Sequence, residues 1–334
     1  MTMTKRPRIL LSIGPGTLPS QGADRMDFTS YNVRLSGKPP LTGREMVAAL
    51  PEIDAIAEIV FDDARPRPQG THDDIRKLAR FLDTEARRED IDGIVWVQGT
   101  NTLEETAFFL NLTVRSAKPL VVVGAQRPFT AMSTDAHLNL VNAIRVAACL
   151  EAAGLGVLTV TNSEIIAARD VTKTSTYQVQ TFRGRDLGVL GYADPDRVVI
   201  YHAPRRRHTT LSEFDIQVID SLPMVEVLYP HTGANSNLAQ AAVDLGARGL
   251  VIAGIGAGAL GVFTEPVKTL VAKGVSIVRS ARVGEGRVLG DGNNHEAGTV
   301  AADNLNPQKA AILLALALTR TCDPAELQRI FDEY

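Results

Sequence analysis

Short runs of β-branched residues and leucine alternate along this chain with longer stretches whose apolar residues recur every three and four positions. The runs Ile9–Ile13, Gly93–Val97, Leu120–Gly124, Gly156–Thr161, Val225–Leu228, Leu250–Ala253 and Ser276–Ser280 read as strands. Most read as strands covered on both faces. Asp73–Arg87, Thr102–Arg115, Asp135–Ala152, Asn237–Leu245 and Thr264–Lys273 carry the helical period between them. Near the C-terminus Asn306-Pro307 opens one further helix. Asp323-Pro324-Ala325-Glu326 opens another, with proline at the first helical position and glutamate three residues after the cap. This alternation predicts an α/β fold around a parallel or mixed sheet. The polar stretch from Pro204 to Thr210, followed by Ser221-Leu222-Pro223, interrupts the pattern. The expected organisation is therefore an N-terminal domain over 1–203, a connection over 204–228 and a smaller C-terminal α/β domain over 229–334.

Composition narrows the function. The chain has 334 residues, 45% of them apolar, enough for two full-sized cores. Lys and Arg total 35 against 38 Asp and Glu, so no basic field is available to hold a nucleic acid. Only the five-residue run Ile9–Ile13, four of its residues apolar, follows the basic N-terminal segment before Gly14-Pro15-Gly16, too short for the apolar region expected of a secretory leader. The longest helical apolar stretch, Ala310–Leu318, is far below the ~20 residues of a membrane span. Neither membrane nor nucleic acid is an expected partner, and a cytoplasmic protein is expected. Two cysteines, Cys149 and Cys322, lie in apolar helical stretches, and the six histidines lack the H-x-x-x-H spacing of a zinc site, so no metal is expected. Gly256-Ala257-Gly258-Ala259-Leu260-Gly261 is a literal G-x-G-x-x-G after a strand. The strand that follows ends Val278-Arg279-Ser280-Ala281-Arg282, without the acid that holds a dinucleotide ribose. Arg279 or Arg282 would suit only a 2′-phosphate, and no cofactor is expected.

In open α/β sheets the reactive groups sit beyond the carboxyl ends of strands. Gly14-Pro15-Gly16-Thr17 occupies such a junction, and its glycines allow backbone amides and a hydroxyl to meet without bulky neighbours. Thr17 is there a turn residue or a nucleophile. Gln98-Gly99-Thr100-Asn101-Thr102 follows Gly93–Val97. Thr102 with Glu105 forms a capping box for the next helix, which leaves Thr100 in the positive potential of a helix N-terminus. Lys173 stands among Thr172, Thr174, Ser175 and Thr176 and is either a solvated lysine or a base for a threonine.

Together these junctions resemble the bacterial L-asparaginase/glutaminase family. Gly99-Thr100-Asn101-Thr102-Leu103-Glu104-Glu105-Thr106-Ala107 is similar to its G-T-D-T-L-E-E-T-A block, and Val122-Val123-Gly124-Ala125-Gln126-Arg127-Pro128 to its V-V-G-A-x-R-P strand end. Ala168-Arg169-Asp170-Val171-Thr172-Lys173-Thr174 is similar to its lysine segment and Leu305-Asn306-Pro307-Gln308-Lys309-Ala310 to its C-terminal block. The resemblance implies a larger N-terminal and a smaller C-terminal α/β domain. It also implies a homotetramer built as a dimer of intimate dimers, and hydrolysis of a small amide by two threonines. Thr17 would be the nucleophile with Tyr31 as its polar partner. Thr100 would be the second threonine, Lys173 its base, and Ala125 a backbone contact to the leaving amide.

Where the family block has aspartate, this chain has Asn101, so a carboxylate that would bind a substrate ammonium is replaced by a neutral amide. The substrate-binding pair of the family falls near Arg67 and Pro68, and its G-N-G-N asparagine becomes Ala259. A further acid, which the family takes from the neighbouring subunit, corresponds best to Asp291, with Glu285 the other candidate. A lost anion and a gained guanidinium favour an amide other than free L-asparagine: N-substituted, des-amino or lactam-like. A plain L-asparaginase, or a catalytically impaired regulator that binds amides or amino acids, are the alternatives.

Overall fold

A computed structural model describes residues 6–62, 70–292 and 294–334. Two compact units divide the chain, Met1–Ile216 and Gln217–Tyr334.

The first unit is built on a mixed sheet. Its strands are β1 (Arg8–Ile13), β2 (Glu58–Phe61), β3 (Gly93–Val97), β4 (Leu120–Val123), β5 (Val157–Thr161), β6 (Glu164–Ala167), β9 (Gly191–Ala193) and β10 (Val198–Ile200), while β7 (Thr172–Lys173) and β8 (Phe182–Arg183) form a separate hairpin. The spatial order is β2-β1-β3-β4-β5-β6-β9-β10. The five strands from β2 to β5 are parallel, and β6, β9 and β10 continue the sheet antiparallel. All residues of β3, β4 and β5 are buried, which is why none of the three carries a charged residue. Helices α1 (Val33–Ser36), α2 (Gly43–Ala48), α3 (His72–Ala86), α4 (Leu103–Thr113) and α5 (Ala136–Ala147) complete the unit. One sheet face presents Ile9, Leu11, Ile13, Val95, Val97, Val121 and Val123 to Leu140, Ala143 and Ile144 of α5, all in one core. Each of the larger side chains there contributes about 1.5–3 kcal/mol by leaving water. Against this cover, α3 and α4 pack on each other, and α4 packs on β4 and β5.

Connectivity positions the site. From β1 the chain moves outward to β2 and then returns to β3 on the other flank of β1. The carboxyl ends of β1 and β3 therefore enclose a crevice at the point where the winding direction changes, the place where open α/β sheets bind ligands.

The second unit holds a four-stranded parallel sheet of β11 (Val225–Leu228), β12 (Gly249–Gly254), β13 (Ser276–Ala281) and β14 (Thr299–Ala301), in that order. Helices α6 (Leu238–Asp244), α7 (Thr264–Ala272), α8 (Pro307–Ala317) and α9 (Pro324–Glu333) accompany it. The caps expected from the sequence form: Asn306 accepts from the Lys309 N–H at 3.1 Å and Asp323 from the Glu326 N–H at 3.0 Å, each followed by proline. No helix among the described residues is long and apolar enough to cross a membrane.

Candidate active site

The loops after β1 and β3 interlock through two glycines. A Cβ on Gly16 would lie 2.3 Å from the Gly99 nitrogen and 2.4 Å from its Cα, so only hydrogen fits there. The Gly99 N–H donates to the Pro15 carbonyl at 2.9 Å, which fixes the approach. Thr17 and Thr100 each follow one of these glycines and are 8% and 5% exposed, unusual burial for hydroxyls on loops. Each has a partner. Thr17 Oγ1 and the Tyr31 hydroxyl share a hydrogen bond of 2.9 Å. Tyr31 immediately precedes Asn32, whose side chain caps α1 by accepting from the Leu35 N–H at 3.1 Å.

Lys173 Nζ donates to Thr100 Oγ1 at 2.8 Å. The lysine lies on β7, pinned to β8 opposite Phe182, and its own N–H donates to Glu104 Oε1 on α4 at 3.3 Å. Burial pushes the Lys173 pKa below the ordinary lysine value, because a charged ammonium is poorly solvated there. A half-buried amine with a lowered pKa against a hydroxyl is an arrangement that lets lysine accept a proton.

The predicted capping box at Thr102 does not form. Thr102 makes no side-chain bond to the first turn of α4. Its hydroxyl instead accepts from Gln98 Nε2 at 3.2 Å, the same amide donates to Thr106 Oγ1 at 2.8 Å, and Gln98 Oε1 accepts from Trp96 Nε1 at 2.8 Å. Gln98 is 4% exposed, and a buried amide must find partners for each of its polar atoms, so it outcompetes the local cap. Sequence reasoning missed Gln98 and Glu104. The signal for Gln98 was available: one amide directly after a wholly buried apolar strand.

Ala125 follows β4, the next strand along, and is buried. Its turn is held by Asp135, which accepts from the N–H groups of Gln126 and Arg127 at 2.9 Å each. Gln126 Nε2 donates to the Thr176 and Gln178 carbonyls at 3.1 and 3.3 Å, linking this turn to the lysine hairpin. Asn101 is exposed beside Thr100. Arg67 and Pro68 lie outside the described residues. Asp291 belongs to the second unit, where it is exposed and lines a cavity of about 320 Å³ with Arg287, Asp303, Gln328 and Asp332; Glu285 is exposed there too.

The glycine-rich stretch after β12 is a closed turn rather than a phosphate cradle. Ile255 and Ala259 exchange both backbone hydrogen bonds at 2.9 Å, and the helix begins only at Thr264. Arg279 is fully buried and donates to Thr299 Oγ1, the Asn294 carbonyl and the Leu289 carbonyl at 2.8–2.9 Å, so its guanidinium is engaged inside the unit. Among the described residues no group of three or more His, Cys, Asp or Glu side chains could hold a metal ion.

Residues 8–206 match the model of the N-terminal asparaginase domain, and residues 224–331 that of the glutaminase/asparaginase C-terminal domain. The chain is 39% identical over 331 residues to L-asparaginase 2 of Bacillus subtilis, covering 98% of this chain and 87% of the relative. It is 39% identical over 334 residues to L-asparaginase 2 of Escherichia coli, covering 98% and 93%. To the glutaminase-asparaginase of Pseudomonas fluorescens it is 36% identical over 339 residues, covering 100% and 92%. Matched along nearly its whole length, the chain belongs to the asparaginase/glutaminase family of hydrolases that act on the C–N bonds of amides.

Proposed function

We propose that Thr17 attacks the amide carbonyl with Tyr31 as its proton-handling partner, and that Thr100 and Lys173 form a second proton-handling pair. The single observation that carries this reading is the 2.8 Å bond between Lys173 Nζ and Thr100 Oγ1 in a half-buried setting that lowers the lysine pKa. Acyl transfer needs a hydroxyl relieved of its proton and a second base for water. Two hydroxyls on interlocked loops, one bonded to a phenol and one to an amine, supply both. Thr17 would carry the acyl group, and Thr100 with Lys173 would activate the water that releases it.

The substrate we propose is an amide other than free L-asparagine. Asn101 beside Thr100 is neutral where the family block carries aspartate, so an α-ammonium would meet no carboxylate from this position. Steady-state kinetics on L-asparagine and on succinamate, which lacks the ammonium, test the point. A higher kcat/KM on succinamate is expected, and a clear preference for L-asparagine overturns it, as the relatives' names would have it. Loss of turnover in Thr17→Ala and in Thr100→Ala is expected on whichever amide is used, and wild-type turnover in either variant refutes the assignment.

A further inference from the structure

Trp96 lies on β3 and Gln98 directly follows that strand, two residues on, so their side chains share one face of the sheet. Both are buried, Trp96 completely. Gln98 and Thr102 stand at the two ends of the turn Gly99-Thr100-Asn101, and the Gln98 side chain spans it by donating from Nε2 to Thr102 Oγ1 at 3.2 Å. Both ends are anchored. On one side the Gln98 N–H donates to the Val123 carbonyl of β4 at 2.9 Å, and Gln98 Oε1 accepts from Trp96 Nε1 at 2.8 Å. On the other, Nε2 also donates to Thr106 Oγ1 at 2.8 Å, and the Thr106 N–H donates to the Thr102 carbonyl at 3.0 Å in the first turn of α4. The indole meets the other threonine loop as well. A Cβ on Gly14 would lie 2.7 Å from Trp96 Cζ2 and 2.9 Å from Cη2, so the start of the Thr17 loop rests on the ring.

An N-cap threonine ordinarily accepts from the backbone of the first helical turn; Thr102 makes no such bond and holds the Gln98 amide instead. Thr100 itself lies outside helix and strand. Its place is set by what grips the turn: the bond from the Gly99 N–H to the Pro15 carbonyl before it and the Gln98 bond to Thr102 after it. We infer that Gln98 is a positioning residue for the release of the acyl group, holding Thr102 so that Thr100 Oγ1 stays against Lys173 Nζ. The inference rests on the reading of Thr100 and Lys173 as the pair that activates water. In that step a water oxygen bonds to the carbonyl carbon of the ester on Thr17. The water proton passes to Thr100 Oγ1 as the Thr100 proton passes to Lys173 Nζ. The bond from that carbon to Thr17 Oγ1 breaks, and the proton held by Lys173 returns to Thr17 Oγ1 as the carboxylic acid leaves. Gln98 takes no proton; it keeps the relay in register.

Thr102→Val and Thr102→Ser test this, since Thr102 is exposed and makes no cap bond, so neither change opens a hole in the core. Kinetics on succinamate and L-asparagine are read together with intact mass of protein quenched during turnover. In Thr102→Val kcat is expected to fall by ~10–100-fold, the range that a displacement of about 1 Å costs. KM should fall with it, so that kcat/KM, which covers only the steps through acylation, stays within about twofold of wild type. An acyl adduct should accumulate on Thr17. Thr102→Ser keeps the hydroxyl and should restore wild-type kcat. Gln98→Met removes every bond of the amide at nearly constant length and should show the same kinetic pattern. Trp96 is the chain's only tryptophan, so its emission should also move to shorter wavelength as the indole N–H loses its acceptor. Where Gln98→Met does not fold, the Thr102 pair decides. Wild-type kcat in Thr102→Val, or an equal loss in Thr102→Ser, overturns the inference. So does a fall in kcat/KM as large as that in kcat with no adduct, the pattern of a smaller folded fraction. Any of these results with Thr100→Ala inactive leaves the two-threonine reading standing, whereas wild-type turnover in Thr100→Ala removes both.

Discussion

Two glycine-rich turns follow buried parallel strands in this molecule, and they differ in what fills the space a side chain would need. At Gly16 that space holds the backbone of Gly99, so the turn draws a second loop, and a second threonine, against the first. At Gly258, in the second unit, it holds the Val288 side chain, with the Gly258 Cβ position 2.6 Å from Val288 Cγ1, and the turn closes on itself through Ile255 and Ala259. The first arrangement concentrates hydroxyls, and the second is packing. Glycine spacing in a sequence does not separate the two; the neighbours that converge on the glycines do.

That contrast separates sensitivity of turnover from sensitivity of stability. The largest effect is expected at the amine. Lys173→Met keeps the volume but removes the proton acceptor from Thr100 and should lower kcat by ~10³-fold, in the range of lost general-base catalysis, with little change in thermal stability. In the wild type, kcat should rise with pH through a value below the ordinary lysine pKa of 10.5, since the active form is the neutral amine and burial favours it. That limb should vanish in Lys173→Met.

Gly16→Ala comes next. Its Cβ meets backbone rather than a movable side chain, so the two loops must part, and a displacement of about 1 Å at reacting groups costs ~100-fold in turnover. Gly258→Ala should do the reverse. With φ of 90° and a clash against Val288 it should lower the melting temperature by several degrees, corresponding to ~1–3 kcal/mol, with kcat kept below the transition. Equal losses of turnover in the two variants would erase the distinction between the turns.

Asn101→Asp should act on selectivity alone. A carboxylate beside Thr100 should raise kcat/KM for L-asparagine relative to succinamate by ~10-fold, the effect of one charge-assisted hydrogen bond. A ratio unchanged from wild type would assign ammonium recognition elsewhere.

The smallest effect lies away from both turns. His208 is 8% exposed, shares a 2.9 Å hydrogen bond with Thr209 through Nδ1, and has its pKa lowered from 6.5 by burial. The unfolded chain therefore binds the proton first as pH falls. Stability should drop as pH goes below the unfolded value toward the lower folded one, and be unaffected above it. Thermal unfolding of wild type and His208→Gln between about pH 7.5 and 5 should show the flatter slope in the variant.

Much of this organisation is legible in the residues. Continuous apolar runs mark β3, β4 and β12, because strands covered on both faces need no polar alternation, and largely apolar β-branched or leucine-rich runs mark β1, β5, β11 and β13. The antiparallel extension was not legible: β6, β9 and β10 are three or four residues long, and their pairing is settled by neighbours distant in sequence. Three-residue β14 and the edge strand β2 escaped for the same reason. At the site, hydroxyls and a lysine stand out beside glycines, whereas their pairings depend on chain reversals that no spacing encodes. Thr102 is the instructive miss, since its local pattern favoured a cap and a buried glutamine four residues earlier took the hydroxyl.

Intact-mass analysis of protein quenched during turnover of succinamate addresses the two-threonine site most directly, with wild type, Thr17→Ala and Thr100→Ala compared. Expected is an acyl adduct on Thr17 that accumulates in Thr100→Ala, where water is no longer activated, and that is absent from Thr17→Ala. An adduct on Thr100, or hydrolysis at the wild-type rate without Thr17, would contradict the division of labour between the two hydroxyls.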